Sequence, residues 1–153
     1  KPIEELLQRQ GLVGDNVVLH ACDATQALPD GLPLLFDAVL LDAPCSATGI
    51  IRRQPDIKWH RQVKDIDQLN TLQWRLLKNA WCYLKLGGRL MYSTCSVLKA
   101  ENELLIDSFL KQNSDACAID LGDRYGRVSG AGRQRFPGED DGDGFYYALL
   151  QKA

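Results

Sequence analysis

The stretch that most limits what this chain can fold into is Phe36-Asp37-Ala38-Val39-Leu40-Leu41-Asp42-Ala43-Pro44-Cys45-Ser46-Ala47-Thr48-Gly49. Ala38 to Leu41 is a short unbroken apolar run, the pattern of a parallel strand covered on both faces. Pro44 has no N–H to give to a ladder, so the strand ends before it, and Asp42 and Cys45 sit at its carboxyl end. Open α/β sheets bind ligands at that end of their strands, which makes a carboxylate and a thiol delivered there together a candidate site. A second cysteine arrives the same way. Gly87-Gly88-Arg89-Leu90-Met91-Tyr92-Ser93-Thr94-Cys95-Ser96 reads as another short strand, opened by a glycine pair and closed by Thr-Cys-Ser. If these strands are neighbours, both thiols face one crevice.

The rest of the chain alternates helices with strands, which predicts an α/β architecture. Ile3, Leu6 and Leu7 mark a helix over Ile3 to Gln10, stopped by Gly11. Asn16 to Cys22 is rich in β-formers and closes on an acid, Asp23. Asp65 to Leu86 carries the strongest helical pattern, with Leu69, Leu72, Leu76, Leu77, Ala80 and Leu84 on one face and Asp65 and Asp67 near its start. Trp74, Trp81 and Cys82 are read there as packing. A second amphipathic helix covers Ala100 to Gln112, with Leu105, Ile106, Phe109 and Leu110 inward. Strands follow at Ala116 to Asp120, with Cys117 as a core thiol, and at Phe145 to Gln151. Between these two, Leu121 to Gly144 has glycine at 122, 126, 130, 132, 138, 142 and 144, which predicts a long loop able to cover a site.

At 153 residues, 45% hydrophobic and 25% charged, the chain has the make-up of one soluble domain with a core. Its apolar runs fall far short of the roughly 20 residues a membrane span needs. Five cysteines without a close-spaced framework read as reduced thiols in a cytoplasmic protein. His20 and Cys22 share a strand face and invite a zinc site with Cys45 and Cys95, but no close ligand pair is present, so core packing is the reading kept and no metal is expected. The net charge of −2 hides an asymmetry: Arg52, Arg53, Lys58, Arg61 and Lys64 stand against Asp56 alone, while Glu139, Asp140, Asp141 and Asp143 crowd near the end. Basic residues interleaved with Trp59 suit nucleic acid, the cations meeting phosphates and the ring offering a stacking face. Arg52, Arg53, Lys58, Trp59 and Arg61 are therefore the expected RNA-binding residues. His60 has no identifiable partner.

Two thiols and a carboxylate in one crevice suit one chemistry in particular. Carbon 5 of cytosine is too poor a nucleophile to attack a methyl group unless a thiolate first adds to carbon 6, and a nearby Asp can hold the ring while charge shifts. A second thiol can then assist release. The attacking cysteine needs a lowered pKa, which the basic segment or a helix N-terminus would supply.

Asp42-Ala43-Pro44-Cys45-Ser46 together with Thr94-Cys95-Ser96 resembles motifs IV and VI of the RNA cytosine-5 methyltransferases. Arg52-Arg53-Gln54-Pro55-Asp56-Ile57-Lys58-Trp59 is similar to the bacterial small-subunit methyltransferase B (Sun or Fmu) branch, as is the closing Gly142-Asp143-Gly144-Phe145-Tyr146-Tyr147-Ala148. The resemblance covers almost the whole chain. It implies a Rossmann-like S-adenosylmethionine-dependent methyltransferase fold, Cys95 as the nucleophile, Cys45 as the residue aiding release, Asp42 as the ring-contacting acid near the methyl donor, and Asp23 as a contact to the donor's adenine side. RNA, and ribosomal small-subunit RNA in particular, is the implied partner; nothing in the sequence demands a protein partner.

The family's glycine-rich cofactor loop, its acid after the second strand and its N-terminal RNA-binding domain all precede Lys1 in register and are missing here. The implied strand order is 3-2-1-4-5-7-6, of which this chain holds strands 3, 4, 5, 6 and 7. Residues 1–153 are accordingly expected to be the C-terminal part of one catalytic domain, with Ile3 to Cys22 poorly anchored and with neither activity nor strong cofactor affinity alone. The alternative from another class is a non-catalytic RNA-binding module in which both cysteines are packing residues. A thiol redox or hydrolytic enzyme would want a CxxC or a Cys/His pair, and an amino-group methyltransferase an Asn- or Asp-Pro-Pro-aromatic turn; neither is present.

Overall fold

The apolar run around which the chain is read forms β1 (Phe36–Asp42), and the strand expected to open on the glycine pair forms β2 (Leu84–Thr94). The structure, a computed structural model, describes residues 2–12, 17–33 and 35–153. β1 and β2 pair in parallel, Val39 opposite Leu90 and Asp42 opposite Ser93, so their carboxyl ends are level. Ahead of β1 lies α1 (Pro2–Arg9), ended by Gly11 at φ 66° as the glycine stop predicts. Between the two strands run the short α2 (Ile57–His60) and the long α3 (Val63–Cys82), whose start is closed by a reciprocal capping pair between Gln62 and Asp65.

After β2 come α4 (Glu103–Gln112), β3 (Ala116–Ile119), the hairpin β4 (Arg127–Ser129) and β5 (Gly132–Arg135), and finally β6 (Phe145–Lys152). β6 inserts antiparallel beside β2, Ser93 opposite Tyr147. Its other edge is shared: β3 pairs with Leu149 to Lys152 and β5 with Phe145 to Tyr147. The order β1-β2-β6-β3 is the 4-5-7-6 that the resemblance implies.

α3 and α4 pack on one face of this sheet. Leu77, Trp81, Leu105, Ile106 and Phe109 meet Leu90, Tyr92, Tyr146, Ala148 and Leu150 in a single core, with Trp81 and Phe109 edge to face at 5.3 Å. Alternation along β2 and β6 follows directly, because only the residues facing the helices are buried. No helix of the described residues is long and apolar enough to cross a membrane.

Several expectations are corrected. β1 is covered on one face only: Val39 and Leu41 point to the core, while Leu40 is 72% exposed because both helices lie on the opposite side. Residues 17–22 of the expected Asn16 to Cys22 strand form no strand, and Asn16 lies outside the described residues. The segment joins no ladder, and His20 and Cys22 are exposed rather than packed. Cys82 and Cys117 are exposed as well: Cys82 closes α3 off its buried face, and Cys117 points away from the core along β3. Leu84 leaves the helix and opens β2 opposite Phe36. The predicted loop over 121–144 contains β4 and β5, because the upper half of β6 has a free edge that β3 does not reach.

Candidate active site

Three chain segments converge at the carboxyl ends of β1 and β2: residues 42–49, residues 93–98 and the 142–146 entry to β6. Backbone hydrogen bonds join them. The Gly49 N–H donates to the Cys95 carbonyl at 2.9 Å, and the Gly144 N–H donates to the Gly49 carbonyl at 2.8 Å. Approach here is so close that a Cβ on Gly49 would lie 2.1 Å from the Gly144 oxygen. Ala47 takes φ 62° to turn the loop back towards β2.

The two thiols meet, Cys45 Sγ to Cys95 Sγ being 3.4 Å, and both are half-buried. The hydrogen bond from the Cys45 thiol holds Cys95 below the ordinary thiol range, at about 7, against the burial that opposes ionisation. Cys45, which keeps the proton, is pushed up by that bond and by burial. The lowering therefore comes from the neighbouring thiol and not, as expected, from the basic segment; Asp42 and Glu101 are the charges that bear on Cys95, and both raise it.

Asp42 is exposed at the end of β1 and accepts a hydrogen bond from the Ser93 hydroxyl at 3.1 Å. Tyr147 lies next in register on the same sheet face and stacks on Phe145 at 5.9 Å. Asp23 sits in a turn docked on α3. Its Oδ1 accepts from the Thr25 N–H and hydroxyl, which hold its carboxyl below the usual range, while Asn79 donates to the Ala24 and Gln26 carbonyls.

The basic segment divides in two. Arg52 reaches the Gly142 carbonyl, Arg53 pairs with Asp143, and Arg61 Nε donates to the Ser46 carbonyl at 2.9 Å, so these three brace the convergence of segments. Lys58 and Trp59 face solvent, Lys58 Nζ lying 5.2 Å from the ring centre of Trp59, which is 78% exposed.

Sequence reasoning missed the polar groups beneath the thiols. Glu101 is fully buried and accepts from the Ser46 N–H and from both the Ser46 and Ser96 hydroxyls. Asn102, also buried, accepts from the Thr94 hydroxyl at 2.6 Å and donates to the Ser96 carbonyl and to Gln134 Oε1. A serine directly after each cysteine was the available signal; a Glu-Asn pair at a helix start has no periodicity that distinguishes it from a cap.

An α/β sheet of this strand order, with two touching thiols at its strand ends, defines a Rossmann-like methyltransferase domain. Residues 1–151 match the family described as 16S rRNA methyltransferase RsmB/F, and the chain belongs to that family. It is 58% identical over 140 residues to the ribosomal RNA small subunit methyltransferase B of Xanthomonas campestris, covering 90% of this chain and 32% of that protein. With the protein of the same description from Escherichia coli it shares 51% over 152 residues, 95% of this chain and 34% of the relative. The chain thus spans about a third of the curated relatives it matches. NSun6 from Pyrococcus horikoshii, solved with SFG, superposes with a TM-score of 0.83 at 30% identity, over 98% of this chain and 38% of that one. A methyltransferase homologue from the same organism gives 0.80 at 32%, over 98% and 48%.

Proposed function

We propose that the protein containing this domain transfers a methyl group from S-adenosylmethionine to carbon 5 of a cytosine in RNA, with small-subunit ribosomal RNA as substrate and Cys95 as nucleophile. The observation that carries this reading is the 3.4 Å thiol pair in which Cys95 is the more acidic member. The neighbouring thiol favours the Cys95 thiolate, the form that adds to carbon 6. As the C–S bond forms, the C5=C6 π pair shifts off carbon 6 onto carbon 5, delocalised through C4 to nitrogen 3, and carbon 5 becomes nucleophilic.

The residues present suit the donor in part: Asp42 offers an exposed carboxylate beside the thiols, and Asp23 retains Oδ2 outside its turn. The family-related solved structure with SFG supports this cofactor class. When bound, S-adenosylmethionine supplies an electrophilic methyl. Asp42 holds the ring's nitrogen 3 and amine as charge develops there. A base then takes the carbon 5 proton, the C–H electron pair re-forms the C5=C6 double bond, and the C–S bond breaks with its electrons returning to Cys95 Sγ; Cys45 assists this release. Arg52, Arg53, Lys58, Trp59 and Arg61 flank the site as its RNA-binding side, on a base that must be single-stranded or flipped to be reached. Five free thiols suit the reducing cytoplasm.

In the complete gene product with target RNA and donor, Cys45→Ala accumulates a protein–RNA band that survives denaturation, and Cys45→Ala/Cys95→Ala forms none. Absence of the band in both, with methylation retained by Cys95→Ala, overturns the covalent role.

A further inference from the structure

The mechanism above makes no use of the most deeply buried carboxylate in the described structure. Glu101 has no solvent exposure, and its four hydrogen-bond partners are all neutral donors. Oε1 accepts from the Ser46 N–H at 2.9 Å and from Gln73 Nε2 at 3.0 Å. Oε2 accepts from the hydroxyls of Ser46 and Ser96, each at 2.5 Å. Both carboxyl oxygens are thus fully engaged, each by two donors, and the side chain is fixed in place from two loops and one helix. The surroundings give something up for this arrangement: the Gln73 amide turns its nitrogen towards Glu101 and the Pro44 carbonyl, leaving its own buried oxygen without a partner among the described residues.

What the carboxylate joins is specific. Ser46 follows Cys45 and Ser96 follows Cys95, so one side chain anchors both thiol-bearing loops from below. Thr48 completes the network, its hydroxyl lying 3.2 Å from both serine oxygens and accepting from the Val97 N–H. We propose that Glu101 is a positioning residue that holds the Cys45 and Cys95 thiols in mutual contact and so sets the pair up for attack and release. This rests on the thiol roles proposed above.

The test reads Cys95 itself and not methyl transfer, so the two proposals fail separately. In the complete gene product, alkylation of Cys95 by iodoacetamide is followed by peptide mass spectrometry from about pH 5 to about pH 10. The titratable neighbours are Cys45 on the 43–49 loop, Asp42 at the end of β1 and Glu101 itself. Glu101→Ala frees both serines, separates the thiols and moves the Cys95 midpoint up by about one unit or more, lowering its thiolate fraction at neutral pH about fivefold or more. Glu101→Gln keeps the anchor, because its amide nitrogen donates to serine oxygens that rotate to accept, and the midpoint stays at or below the parent value. In turnover assays Glu101→Ala lowers kcat with the donor KM unchanged, and Glu101→Gln restores it. An unshifted midpoint in folded Glu101→Ala, or Glu101→Gln behaving like Glu101→Ala, overturns the proposal. Should Glu101→Ala not fold, Ser96→Ala decides: it releases the Cys95 loop alone, a raised midpoint supports the role, and an unchanged one overturns it.

Discussion

Ala47 stands in the left-handed region at φ 62°, ψ 22°, where a Cβ costs about 1 kcal/mol. The turn it makes lets Ser46 face Glu101 while Gly49 reaches Cys95. Replacing it with Val, which adds branching to an already strained backbone, lowers stability by about 2 kcal/mol, whereas Ala47→Gly loses none; urea unfolding of the two variants separates them. The thiols give a second expectation at this scale. Alkylation of Cys95 has its midpoint near pH 7, and Cys45→Ala, which removes the hydrogen bond that favours the thiolate, moves it up towards the ordinary value of about 8.5. A midpoint that stays in place would show that the Cys45 thiol does not tune its neighbour.

Elements here are placed by their ends as much as by their patterns. Gly49 has no room for a side chain against the Gly144 carbonyl, so Gly49→Ala forces the thiol loop off the entry to β6, at about 3 kcal/mol in thermal unfolding and with loss of the Cys45 to Cys95 contact. The same contrast between pattern and context decides what sequence could show. Pro44 bounds β1, whereas the Gly87-Gly88 pair falls inside β2, which already begins at Leu84; the periods of α3 and α4 name the helix face that becomes core. Periodicity is silent on partners. Residues 17–22 have β-rich chemistry and form no strand, whereas Arg127 to Arg135 has glycine-rich loop chemistry and forms a hairpin because β6 offers it an edge. Glu101 and Asn102 were illegible for the same reason, since their meaning lies in loops more than fifty residues earlier or thirty later.

At the scale of the whole molecule, one sheet face and the outer edge of β1 lack protein cover among the described residues. Leu40 and Leu86 stand out on the surface there, at 72% and 78% exposure. An apolar edge with unpaired N–H and C=O groups recruits other strands, so the isolated chain is expected to self-associate with rising concentration. Leu40→Lys shifts it towards monomer in sedimentation velocity, and equal association in both would remove β1 as the contact. β6 has an opposite character: it is the last strand of the chain and lies in the middle of the sheet, between β2 and β3. A polypeptide emerges from the ribosome from its N-terminus, so β2, β3 and β5 are made before the strand that lies between them. Until residues 144–152 are made, the Gly49 carbonyl of the Cys45 loop lacks the Gly144 N–H that braces it, so a chain broken before β6 leaves an open sheet and not a slightly smaller one.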